Sequence, residues 1–227
     1  MLIVTDFEFN QAFDFVNNTS IDPIPECRFE IIQIGAVKLD ENYNIVGRFS
    51  EFIKPNLYKT LHPFVKKITC FESEQFKDAL PFNEVYENFR KFMGDEPVFV
   101  TWGKADVQTL YTNLKYYDML QCKVLIKYID LQSIVSSKLN FKKGVIGLKN
   151  AVEMLNIEET EPFHNAYNDA YYTAMILKKI SPNNIKVNIF NPSHIKQKKT
   201  SVKPVTGIVK TRRKKSNRTK SSIKIEI

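Results

Sequence analysis

Residues 1–10 read MLIVTDFEFN, a β-rich run in which two carboxylates, Asp6 and Glu8, interrupt otherwise apolar side chains. If residues 2–9 form a strand, its two-residue period sends Asp6 and Glu8 to one face and Phe7 to the other. Two carboxylates so close in a partly buried place repel each other and raise each other's pKa unless something cationic lies between them. A divalent cation answers that, because Asp and Glu oxygens are the usual ligands of Mg²⁺ and Mn²⁺. The plainer alternative is a solvated strand edge carrying ordinary acids, and D-x-E alone does not separate the two.

Working outward, residues 28–39 (RFEIIQIGAVKL) form a second strand-like run, with a Pro-, Asn- and Ser-containing loop between the two. Asn42–Gly47 carries turn chemistry, and residues 48–54 (RFSEFIK) alternate as a third strand stopped by Pro55. The period then changes. Residues 63–69 predict a short helix, and residues 81–92 a stronger one, with Phe82, Val85, Tyr86, Phe89 and Phe92 at three- and four-residue steps. Strands over 97–102 and 124–129 alternate with helices over 106–117, 131–139, 147–155 and 166–180. Three close-coupled strands followed by alternating helices and strands predict an α/β protein. Its sheet would be mixed, of about five strands, three antiparallel and then parallel, flanked by helices.

Charge divides the chain. Residues 186–227 hold 13 Lys/Arg and one acid, whereas residues 1–185 hold 20 Lys/Arg and 24 acids. A mildly acidic domain over 1–182 is therefore expected to carry a basic, flexible tail over 183–227. A solubilising role is one reading of that tail. With Arg212, Arg213, Lys214 and Lys215 in its densest run, nucleic-acid binding through phosphates is the favoured one. The cysteines Cys27, Cys70 and Cys122 show neither metal spacing nor a disulfide framework, which predicts reduced, mostly buried thiols. No signal-peptide pattern and no run of 18 apolar residues is expected to lead the chain to a membrane, so a cytoplasmic location is expected. Glycine is scarce and no GxxxxGK[ST] loop occurs, which argues against a nucleotide-triphosphate site.

Two further segments carry candidate chemistry. In residues 163–174 (FHNAYNDAYYTA), His164 approaches a helix whose first turns contain Asp169; alone, these are an exposed residue near an N-cap and a favourable early-helix charge. In residues 102–106 (WGKAD), Asp106 sits where an apolar strand meets an amphipathic helix and reads by itself as an N-cap.

In order, Asp6-x-Glu8, Asp106 and His164-x4-Asp169 resemble the DEDDh family of 3′→5′ exonucleases, of RNase H-like fold. FEIIQIGAVKLD, the FIKP ending of the third strand, PFVKKITCF and WGKADVQTL are similar to further family segments, so the resemblance spans about residues 1–180. Within the family, DFEF resembles the short KapD-type prokaryotic homologues related to eukaryotic histone-mRNA-type 3′ exonucleases. Phe9 stands where Thr is commoner, and Asn10 is a further departure.

The resemblance implies two Mg²⁺ or Mn²⁺ ions. Asp6 would bridge them, Glu8 and Asp169 would hold the one carrying the nucleophilic water, and Asp106 would act on the second. His164 would be the general base, and Phe9, Ile68 and Thr69 would hold the terminal nucleotide. The expected activity is 3′→5′ hydrolysis at single-stranded ends, RNA more than DNA. The rival readings are a DNA proofreading or repair exonuclease sharing these residues, and a non-catalytic nucleic-acid-binding module, which predicts a lost ligand where here all five residues are present.

Overall fold

The structure, a computed structural model, describes residues 1–120, 126–181 and 185–195. Its compact unit covers Met1–Ile195. Strands β1 (Leu2–Gln11), β2 (Phe29–Leu39) and β3 (Ile45–Phe52) form an antiparallel meander. Helices α1 (Pro63–Thr69) and α2 (Phe82–Met93) follow, then β4 (Val98–Thr101), α3 (Ala105–Tyr116), β5 (Lys127–Asp130), α4 (Leu131–Lys138), α5 (Leu148–Met154), α6 (Ala166–Ile180) and β6 (Asn188–Ile189). The sheet order is β3-β2-β1-β4-β5-β6, with β1–β4 and β4–β5 parallel and β5–β6 antiparallel.

The mixed sheet and its flanking helices match the expected architecture, with one added strand. β6 lies beyond Pro182, where no periodicity marks it; Phe190 N–H donates to the Ile126 carbonyl at 2.9 Å, and the Phe190 ring packs on Tyr111. The turn before β3 is tighter than Asn42–Gly47. The Asp40 carboxylate accepts the N–H groups of Asn42 and Asn44, both at 2.8 Å, so β3 begins at Ile45.

The sheet's alternation supplies two cores. Ile3, Phe7, Ile34, Phe49, Val85, Phe89 and Leu110 pack on the face covered by α2 and α3. Val4, Val37, Val100, Val135, Tyr172 and Ile176 pack on the face covered by α4, α5 and α6. A smaller cluster of Ile32, Val65, Phe71 and Phe76 seats α1. Of the aromatics over 64–92, Phe64 is the exception to a core role, being exposed. Cys27 is buried, its thiol pushed up to about 12 by burial and by Glu30, while Cys70 is exposed at the left-handed residue ending α1. The expectation of mostly buried thiols therefore fails at Cys70, and Cys122 lies outside the described residues. No helix among the described residues is long and apolar enough to cross a membrane.

Candidate active site

β1 delivers the first two acids as its period requires. Phe7 turns into the core edge-on to Phe89, at 6.4 Å, and Asp6 and Glu8 emerge on the α6 face. β4 stops at Thr101, short of the acids' level on β1, and the chain then turns through Gly103, whose φ of +93° no L residue adopts readily. The Thr101 hydroxyl donates to the Gly103 carbonyl and closes that turn. Asp106 follows inside the first turn of α3. It is not the N-cap: Lys104 holds that place without a side-chain cap bond, and Asp106 is buried.

α6 brings the fourth acid. Its cap is Asn165, whose side chain accepts the N–H groups of Tyr167 at 3.1 Å and Asn168 at 3.5 Å. His164, at φ +63°, turns the chain into the helix, and its N–H donates to Asp169 Oδ2 at 3.3 Å. Its side chain is exposed at the rim, while Asp169 is buried.

Two β2 residues that sequence reasoning passed over set the height of α6. Gln33, opposite Glu8 in the ladder, accepts the Ala166 N–H through Oε1 at 2.9 Å. Gly35, opposite Asp6, lies under the same turn: a Cβ there would stand 2.0 Å from the Ala166 carbonyl carbon. A lone glycine inside an otherwise β-branched strand was the available signal.

Oxygens of Asp6, Glu8 and Asp169 lie within 4.8 Å of one another. Burial, then repulsion from Asp106, Asp169 and Glu8, raises the Asp6 carboxyl well above its ordinary range. Burial and the charges of Asp169 and Asp106 push Glu8 up to about 8. Burial raises Asp106 to about 7, against the pull of the backbone N–H groups of Asp106 and Phe7, and burial raises Asp169 to about 7. None of the four forms an ion pair among the described residues. Oδ1 of Asp169 is buried without a hydrogen-bond partner. A set of hard oxygen donors, mutually repelling and with one orphaned, fits a divalent cation.

The three residues expected to hold the terminal nucleotide lie in different settings. Phe9 is half-buried on Phe7's side of the strand, packed at 6.2 Å against Phe29, so the alternation does not bring it to the acids. Thr69 is buried, its hydroxyl donating to the Val65 carbonyl and accepting the Phe71 N–H, and Ile68 beside it is partly exposed. Asn10 is fully buried and binds Tyr58, Thr60 and His62 of the loop after β3. Arg212, Arg213, Lys214 and Lys215 lie outside the described residues.

A mixed sheet whose strands and helices bring Asp6, Glu8 and Asp169 to one metal-competent point, with Asp106 outside that group but near enough to raise Asp6 and Glu8 by its charge, has the site of an acid-cluster nuclease. Residues 3–177 match the exonuclease family RNase_T, and the chain belongs to that family. The relative ERI1 exoribonuclease 2 of Danio rerio is 25% identical over 198 residues, covering 77% of this chain but only 35% of its own length. In fold, the nuclease domain of 3′hExo, a DEDDh family member bound to rAMP, superposes with a TM-score of 0.67 at 18% identity, covering 84% of this chain and 96% of that one. A full-length 3′-exonuclease gives 0.69 at 18% identity, with 88% and 91% covered. Cell-death related nuclease 4 (CRN-4) gives 0.66 at 22%, with 83% and 66% covered.

Proposed function

We propose that this chain is a metal-dependent 3′→5′ exonuclease acting on single-stranded ends, RNA in preference to DNA, with two Mg²⁺ or Mn²⁺ ions as cofactor. The observation that carries the reading is the convergence of Asp6, Glu8 and Asp169 within 4.8 Å, with Asp106 acting on the same charges, in a chain of the exonuclease family. Bound divalent cations supply the positive charge that such a set lacks and make water acidic enough to attack near neutral pH.

The chain's own groups do the rest. Asp6 and Glu8, carried on one strand, and Asp169, carried on α6, would hold the cations and with them the scissile phosphate, and Asp106 of α3 would add its charge beside them. His164, exposed beside Asp169, takes the proton of the attacking water, a task suited to the one side chain that ordinarily exchanges protons in the neutral range. Its left-handed backbone favours the role, since strained residues cluster at functional sites. RNA preference is supported by relatives described as an exoribonuclease and as a 3′-exonuclease recognising a histone mRNA stem-loop. The basic tail adds affinity through phosphates, and the free thiols Cys27 and Cys70 suit a cytoplasmic location.

Incubation with 5′-labelled single-stranded RNA and DNA in Mg²⁺ or Mn²⁺ tests the reading. A ladder shortening from the 3′ end is expected, faster on RNA and abolished by chelator or Asp6→Ala. His164→Ala is expected to slow cleavage about 10²–10⁴-fold. Variants that degrade substrate as fast as the parent overturn the site assignment, and DNA cleaved faster than RNA overturns the preference.

A further inference from the structure

The loop that Asn10 fastens to β1 walls a groove of about 880 Å³, closed also by α1 and by the loop after β1. Lys54, Lys59 and Lys66 line it together with Phe15, Leu61 and Phe76, and no carboxylate does. Lys66 is held by Glu72 at 2.5 Å, but neither Lys54 nor Lys59 belongs to an ion pair among the described residues.

The groove is built rather than incidental. Asn10, about 7 Å along β1 from Glu8, donates to the carbonyls of Tyr58 at 2.7 Å and Thr60 at 3.1 Å and accepts the His62 N–H at 2.9 Å. Glu30, buried at the start of β2, accepts the N–H groups of Asn56 and Leu57 at 2.7 Å and of Tyr58 at 2.8 Å. His62 packs edge-on to Phe13, and Phe13 to Phe15, which leaves the Phe15 ring 49% exposed at the groove. One buried amide thus ties the loop to the strand that carries the catalytic acids.

We propose that this groove is the track for the strand lying 5′ of the cleaved nucleotide, with Lys54 and Lys59 on its phosphates and Phe15 stacked on a base. The proposal rests on the exonuclease reading above. Unpaired ammonium groups beside apolar surface suit a polyanion whose bases are unpaired, since every base has a face to stack and the phosphates need only charge. Continuity with the acids through Asn10 favours nucleic acid over an acidic peptide, because the loop walling this groove is held about 7 Å along β1 from Glu8, within one nucleotide's reach of a 3′ end at the acids.

The test uses the full chain, the Lys54→Glu/Lys59→Glu double variant, the milder Lys54→Gln/Lys59→Gln pair and Phe15→Ala, each checked for parental melting. Substrates are the p-nitrophenyl ester of thymidine 5′-phosphate, which has no upstream nucleotide, and a length series of single-stranded oligonucleotides. The charge-reversed pair is expected to raise KM about tenfold on the longer oligomers with kcat unchanged. Hydrolysis of the small ester should not change, and the salt dependence of log KM should become shallower by about 0.7 per lost phosphate contact. Phe15→Ala should raise KM about fivefold with no change in salt slope. A KM that is unchanged at every length, or that rises equally for a dinucleotide, overturns the track. If the parent cleaves neither the ester nor any oligomer, the exonuclease reading fails by itself. Anisotropy of a fluorescein-labelled oligonucleotide in chelator then decides the groove: about tenfold weaker binding by the charge-reversed pair supports it, and equal binding, as for a groove that takes a peptide, overturns it.

Discussion

At position 35 β2 carries glycine among Ile and Val, and the reason lies on the facing helix: a Cβ would stand 2.0 Å from the Ala166 carbonyl carbon and 2.1 Å from the Tyr167 nitrogen. Both atoms are backbone, so no rotamer change relieves the clash and α6 has to lift. Overpacking ordinarily costs about 1–3 kcal/mol, and a contact this short against backbone belongs at or beyond the upper end. Gly35→Ala is therefore expected to lower Tm by about 6–12 °C, at the 2–4 °C per kcal/mol of a chain this size. Because α6 carries Asp169, the same substitution should weaken Mn²⁺ binding measured calorimetrically. A variant with parental Tm and parental Mn²⁺ affinity would show that the helix sits higher than this. Gln33 acts on the same turn from the other side: Gln33→Leu removes the acceptor of the Ala166 N–H and leaves that group buried alone, at a cost of about 1–3 kcal/mol.

Elements are held in place by long-range side chains more than by their own propensities. β2 shifts register opposite Glu8 and Phe9, so that Ile31 rather than Ile32 faces Phe9, and Asn113 of α3 fastens the irregularity. Its Oδ1 accepts the Ile31 N–H at 3.1 Å, and its Nδ2 donates to the carbonyls of Phe29 at 2.8 Å and Thr109 at 2.9 Å. Asn113→Leu orphans buried backbone groups and is expected to cost about 3 kcal/mol, a fall in Tm on the order of 10 °C by thermal melting; a shift of a degree or less contradicts this role. Such contacts explain what could and could not be read beforehand. α1 and α6 fell where they were expected, since Pro63 opens the one and a capped apolar period with Pro182 behind it marks the other. That Asp6, Glu8 and Asp169 lie together was legible because residue type and chain order survive in sequence. Asn10 was not, since its partners lie 48 to 52 residues away and no local pattern announces them. β6, two residues long and without alternation, had no period to detect, and Phe9 was expected at the terminal nucleotide because nothing local pairs it with Phe29.

For the molecule as a whole, four acids drawn from β1, α3 and α6 tie folding to protons and, under the proposed function, to metal. Their carboxyls are raised in the folded chain: Glu8 to about 8, Asp106 and Asp169 to about 7, and Asp6 upward as well. Between the ordinary carboxylate range near pH 4 and about pH 8, the metal-free folded state thus holds protons that the unfolded chain has released. Stability carried by these groups is fully present below about pH 4 and is lost as pH rises through 7 to 8. The exposed acids Asp14, Asp40 and Glu96, lowered by hydrogen bonds from Asn17, Asn44 and Lys127, act the opposite way, and their small contribution disappears only as pH falls below the carboxylate range. Thermal melting in chelator should accordingly peak near pH 5 and decline toward pH 8. Divalent cations need the deprotonated acids, so added Mn²⁺ should do little at pH 5 and restore Tm at pH 8. A hundredfold excess over Kd contributes about 2.7 kcal/mol, on the order of 5–10 °C here. Asp169→Asn separates the two effects: with one charge removed the chelator-treated protein should melt higher than the parent at pH 8 and gain little from Mn²⁺. If Tm in chelator instead rises from pH 5 to pH 8, or Asp169→Asn keeps the full response to Mn²⁺, the acids are neither strained by one another nor the place where the ion binds.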